Sequence, residues 1–199
     1  MGTIGAPLGP LFDIPDFTLS GALPPYLGID PTISAFMSPY PTSLTRIAGK
    51  LCGSNERRDI FRGLLAFRQQ LDALGLIVGF QWLSGSFTED IESIEGRHPK
   101  DVDVVTFYNR PAHLLGDDPA WMALINANLT LFDPAQAKLG YKCDPYFVDL
   151  GSPSWNIVDQ TRYWFGLFSH RRSGLWKGLL QVPLNVTQDD ADASAAVGP

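Results

Sequence analysis

At 199 residues, 45% hydrophobic and 18% charged, the chain is long enough to bury a sizeable core and cramped for two domains. Its formal charge of −6 argues against gripping duplex DNA through phosphate contacts, a mode that needs clustered Lys and Arg. Cys52 and Cys143 lie far apart without CxxC spacing, so neither a disulfide framework nor a zinc site is indicated and both read as buried or incidental thiols.

The N-terminal stretch MGTIGAPLGPLFDIPDF lacks the basic region and long apolar run of a secretory leader. No segment reaches the roughly 18 apolar residues of a membrane span. The expectation is a cytoplasmic protein without a membrane partner, in which the sequons at Asn128 and Asn185 carry no weight. Residues 1–45 are rich in Pro and Gly, which favour turns and extended chain. They also carry Phe12, Phe17, Leu19, Leu23, Tyr26 and Phe36, so this segment is expected to be an arm wrapped over a domain spanning 46–184.

Ile60, Leu64, Phe67, Leu71 and Leu74 recur at steps of four and three, the stripe of one helix face. Ser54 or Asn55 can cap its start and Gly75 can end it. Arg57, Arg58, Arg62 and Arg68 are expected on its solvated side. The apolar run 76–83 reads as a buried strand and 84–100 as a polar connection. Residues 101–108 alternate so that Asp101, Asp103 and Val105 share one face of a strand. A helix is predicted at 118–129, a further turn at 134–139 and extended chain at 141–150. Residues 155–168 read as helix, His170-Arg-Arg-Ser-Gly174 as a basic turn and 176–184 as a last strand. The acidic, small-residue segment 185–199 is expected to be a disordered tail.

Gly85 and Ser86, followed by Asp101-Val-Asp103 on the next strand, form the constellation that carries chemistry. A glycine lets the backbone approach a phosphate, and a serine with nearby amides can donate to its oxygens. Two aspartates on one face suit Mg²⁺, which takes oxygen ligands and prefers one or two carboxylates together with substrate phosphates. These four residues resemble the signature of the polymerase-β-like nucleotidyltransferase superfamily. The order of predicted elements from helix 55–74 to strand 141–150 is similar to that superfamily's minimal core. The Leu23-Pro-Pro25 segment, the Ser84-Gly-Ser-Phe87 stretch and the late Trp176-Lys-Gly178 resemble a group of small bacterial nucleotidyltransferase-like proteins.

The resemblance implies an α/β (α+β) fold, a mixed sheet with flanking helices, an extended N-terminal arm and Mg²⁺ or Mn²⁺ as cofactor. It implies transfer of an NMP from an NTP to a hydroxyl of a protein, RNA or small molecule, in a setting such as a toxin–antitoxin or phage-defence module. It also implies a third carboxylate on a later strand, with Asp144 the first choice and Asp149 the alternative. They sit five residues apart, so on a regular strand they face opposite ways and only one can serve; a bulge at Pro145 would spoil that parity. Lys100, Arg171, Arg172 and Lys177 are the cations available to a triphosphate. The fourteen residues between Ser86 and Asp101 exceed the compact form of the motif, and their acids Glu89, Asp90, Glu92 and Glu95 would repel a nucleotide unless turned away. The scattered His98, His113 and His170 read as surface or capping groups, and Trp155, Tyr163, Trp164, Phe165 and Trp176 as packing residues. Two rival readings stand beside the enzyme: a relative that binds nucleotide without turnover, and an interaction module whose arm clasps another subunit or a second copy.

Overall fold

The computed structural model describes residues 11–185 and 188–198. Helix α2 (Asn55–Ala73) sets the frame, with Ile60, Phe61, Leu64, Phe67 and Leu71 on its buried face. Ser54 caps it by accepting from the Arg57 amide, and Gly75, at φ +78°, turns the chain so that the Leu76 amide returns to the Leu71 carbonyl at 2.9 Å. That closure delays the next strand, β2, to Gly79–Ser84; Leu76 joins the core while Ile77 and Val78 stay exposed.

Five strands form one mixed sheet: β1 (Tyr40–Pro41), β2, β3 (Val102–Tyr108), β4 (Cys143–Asp149) and β5 (Leu180–Pro183), in the order β1-β5-β2-β3-β4. β2 runs antiparallel to both β3 and β5, whereas β3–β4 and β1–β5 are parallel. The short helix α3 (Ile91–Glu95) lies in the connection predicted to be polar. One face of the sheet, carrying Leu83, Val102, Val104 and Val182, packs with α2 and with α1 (Leu44–Leu51). On the other face Trp82, Val105, Phe107 and Val148 pack against Trp164 and Phe168 of α7 (Ser154–Phe168). Mixed sheet and flanking helices are thus the fold class that the sequence pattern predicts. No helix among the described residues is long and apolar enough to cross a membrane.

Several boundaries differ from expectation for local reasons. The helix predicted at 118–129 breaks at Asn128 into α4 (Asp118–Ala127) and α5 (Leu129–Phe132), where the Asn128 side chain donates to the Leu124 carbonyl at 2.8 Å. Helix α6 (Pro134–Tyr141) includes Tyr141, and Lys142, at φ 53°, makes the turn into β4. β5 is shorter than predicted because Trp176 pairs with His170 in an isolated bridge and Gly178 runs against Pro24 and Leu23. The Pro/Gly-rich arm does reach the core: Ile14 and Leu23 are buried, Phe17 packs beside them, and Tyr40–Pro41 joins the sheet. Leu19, at a turn tip, and Phe36 remain exposed.

Two expectations are overturned. Arg57 and Arg68 are not solvated: their exposures are 6% and 1%. Arg57 donates to the carbonyls of Phe87 and Glu89 and pairs with Glu92. Arg68 pairs with Asp190 at 2.8 Å and donates to Gln81 at 2.6 Å. Nor is the expected disordered tail, 185–199, found over residues 188–197, because Gln188–Val197 form helix α8; residues 186, 187 and 199 lie outside the described residues. Asp190 of α8 neutralises Arg68, its Asp189 accepts from the Leu44 and Thr45 amides at the start of α1, and Ala193 and Val197 enter the core. Such polar ties let a helix with few apolar residues hold its place, since a buried guanidinium without a partner is costly. Cys52 and Cys143 are free and buried as expected, and burial pushes the Cys52 thiol up to about 12.

Candidate functional site

β3 and β4 run parallel and in unbroken register, which sets Asp103 directly opposite Asp144. Pro145 therefore introduces no bulge, and Asp144 shares the α7-side face with Asp103, Val105 and Tyr146. Asp101 precedes β3 by one residue and keeps the same parity. Asp149 lies five residues further along, opposite Tyr108, where it accepts from Arg110 at 2.6 Å. The register sets Asp144, and not Asp149, beside Asp103, and Asp149 forms an ion pair at the other end of the strand.

Ser84, the last residue of β2, is opposite Asp103, so Gly85 follows immediately above that carboxylate. A Cβ on Gly85 would fall 2.5 Å from Asp103 Oδ2, and the backbone φ of +81° is one that other residues rarely adopt. Ser86 opens a short 3₁₀ turn whose Phe87 and Thr88 are buried. Around these residues lies a half-open cleft of about 670 Å³. Gly85, Ser86, Lys100, Asp101, Asp103, Asp144, Arg171, Arg172 and Lys177 all line it. Of the residues named from the sequence as phosphate, cation or carboxylate candidates, Asp149 alone does not line it.

Residues 15–183 match a family of unknown function, DUF6932. The chain belongs to that family. No curated protein and no solved structure matches it. The matched span of this DUF6932 chain runs from the arm through β5 and contains every cleft residue, while α8 lies outside it.

Charge in the DUF6932 cleft is distributed unevenly. Burial, and then the neighbouring Asp101 and Asp144, push Asp103 up to about 6, against the opposing pull of Lys177 and Lys138. Its carboxylate takes part in no hydrogen bond or ion pair among the described residues, although it is partly buried. Asp101 and Asp144 do have a partner, one that the sequence pattern did not reveal: Lys138 Nζ lies 3.1 Å from Asp101 Oδ2 and 2.9 Å from Asp144 Oδ2. Among the described residues no three or more of His, Cys, Asp and Glu form a group that could hold a metal ion as they stand.

Two of the expected phosphate cations are also engaged. Glu89 is buried and pairs with both Lys177 and Arg171 at 2.6 Å. Glu92 pairs with Arg57, so these two acids of the long connection are neutralised; Glu95, beside Arg97, lines the cleft. Lys100 and Arg172 are exposed and make no hydrogen bond or ion pair among the described residues. They are the cations left to meet an anionic ligand. His170 sits at the end of α7 with Nδ1 3.1 Å from the Gly166 carbonyl, the capping role expected of it. Tyr146, whose phenol is pushed up to about 12 by burial and then by Asp144, packs against Trp164 with ring centroids 4.2 Å apart and planes tilted by 35°, and with Leu167 and Phe168 forms the apolar wall.

Proposed function

We propose that this DUF6932 chain is a metal-dependent nucleotidyltransferase that moves an NMP from an NTP to a hydroxyl of a protein, RNA or small-molecule acceptor. The observation that carries this reading is the register of Asp103 against Asp144 beside Gly85, which puts both acids and a side-chain-free backbone turn on the lining of one cleft that Asp101 also lines. The donor set suits a hard divalent ion: it is oxygen-only and anionic, and the Asp103 carboxylate has no protein donor. Asp101, Asp103 and Asp144 would hold Mg²⁺ or Mn²⁺. A bound ion supplies Lewis-acid stabilisation of the charge that develops on phosphate oxygens.

The remaining work falls to the chain's own residues. Lys100 and Arg172 receive the anionic polyphosphate, Arg with the geometry to bind oxygens in pairs. Gly85 leaves room for a phosphate that a side chain would exclude. The acceptor hydroxyl forms its bond to the α-phosphorus as the bond to the departing pyrophosphate breaks, and its proton passes to the Asp144 carboxylate as general base. Two free cations are few for a long template strand, which favours transfer of a single nucleotide. The proposal places the protein in the cytoplasm, where NTPs are available.

The test is incubation with each α-³²P-labelled NTP and Mg²⁺ in the presence of cell lysate, beside an Asp101→Ala, Asp103→Ala double variant. Label transferred by the native protein alone supports the reading, and equal transfer by the variant refutes the site. A second reading, binding without turnover, is favoured by Glu89, which engages Lys177 and Arg171. Nucleotide bound in a magnesium-dependent way with no label transferred would select it.

A further inference from the structure

Helix α6 ends where β4 begins, and this junction holds Lys138 over the start of the two parallel strands. Asp133 caps α6 by accepting from the Gln136 amide at 2.9 Å, and the Lys142 amide closes its last turn on the Lys138 carbonyl at 3.1 Å. The helix therefore fixes the base of the Lys138 side chain, while the side chain itself remains 45% exposed. Its ammonium spans Asp101 and Asp144 and leaves Asp103 without a bonded partner. Three carboxylates at one site repel each other, and an opposite charge between two of them relieves that repulsion.

We propose that Lys138 is an exchangeable internal counter-ion: it holds Asp101 and Asp144 together in the metal-free protein and is displaced into the open cleft when a divalent cation binds. This rests on the assignment of Asp101, Asp103 and Asp144 as the metal-binding set. The flexible four-carbon stem and the solvent-facing side of the lysine give the ammonium a way out. The exchange makes the native protein a weaker cation binder than its three carboxylates alone would be. It also keeps those carboxylates from splaying before the metal arrives.

The experiment is a titration of nucleotide-free protein with Mn²⁺, following free Mn²⁺ by its EPR signal. Native protein is compared with Lys138→Met, Lys138→Gln, Lys100→Met and the Asp101→Ala, Asp103→Ala double variant. Lys100 supplies the control, a cleft lysine of the same charge whose ammonium pairs with neither acid. The Lys138 variants are expected to bind Mn²⁺ about tenfold more tightly or better, and Lys100→Met to change by less than about threefold. In chelator the Lys138 variants should melt below native protein, and Mn²⁺ should reverse that order.

If Mn²⁺ binding depends on Asp101 and Asp103 but neither Lys138 variant binds more tightly than Lys100→Met, the counter-ion proposal is overturned and the metal site stands. If no Mn²⁺ binding in any variant depends on the aspartates, the metal site falls and the counter-ion role falls with it.

Discussion

The Asp103 carboxylate occupies the space where a side chain at residue 85 would begin. A Cβ on Gly85 would lie 2.5 Å from Asp103 Oδ2 and 3.0 Å from its Cγ, on a backbone already at φ +81°. Gly85→Ala must therefore move the carboxylate and strain the turn at once. The expected cost is about 1–3 kcal/mol of stability, with at least a tenfold loss of Mg²⁺-dependent nucleotide affinity. Gly53 precedes a serine in the same way but would bring a Cβ within 4 Å of nothing, so Gly53→Ala should leave affinity unchanged. Chemical denaturation and nucleotide titration of the two variants check this.

Asp144 and Asp149 separate a site role from a structural one on the same strand. Asp144→Asn should abolish metal-dependent nucleotide binding because it removes the carboxylate opposite Asp103. Asp149→Asn should preserve binding and cost about 1–2 kcal/mol through the loss of a charged acceptor for Arg110. The reverse pattern in calorimetric titrations would transfer the third carboxylate to Asp149.

Arg68 and Asp190 join α2 to α8 through a pair that is almost wholly buried. Arg68→Met leaves a buried carboxylate, and Asp190→Leu leaves a buried guanidinium. Each should destabilise by about 3–5 kcal/mol. The double variant should recover much of that loss, since no charge is then stranded. Urea unfolding of the four proteins gives the coupling directly, and simple additivity would show that the pair does not act as a unit.

Glu92 sets a pH dependence whose sign is fixed. Burial acts to raise its carboxyl, but hydrogen bonds and charge from Arg57 outweigh it and hold the group below its ordinary value of 4.5. The folded state thus binds the proton less readily than the unfolded state. The contribution to stability is complete above the ordinary glutamate range and fades as pH falls through and below it. Glu92→Gln should be less stable than native protein at pH 7 and lose less between pH 5 and pH 3. Unfolding free energies measured across that interval check both parts.

Helix α2 was legible because its apolar stripe is continuous and Ser54 offers a local cap; both signals lie within the segment they describe. The paired acids were legible for the same reason, since alternation along 101–108 fixes a common face. The choice between Asp144 and Asp149 was not, because strand parity shows that they differ but not which one meets Asp103; that needs the β3–β4 register. Arg57 and Arg68 read as solvent-facing because a hydrophobic period counts any charge as exposed, while their partners are the carbonyls of the Gly-Ser turn and an aspartate 122 positions away. Helix α8 was missed on the same ground, as its hold depends on that distant arginine. Lys138 escaped notice because nothing in its own segment shows which acids the α6–β4 junction will place beneath it.

The distance between Asp103 and Asp144 is inherited from main-chain pairing, the roughly 4.8 Å between neighbouring strands, and not from the reach of any side chain. Residues 86–100 and 169–178, which supply much of the cleft's rim, sit outside that ladder. Evolution can rewrite those loops, and with them the preference for one acceptor over another, while the carboxylate spacing stays as the sheet made it.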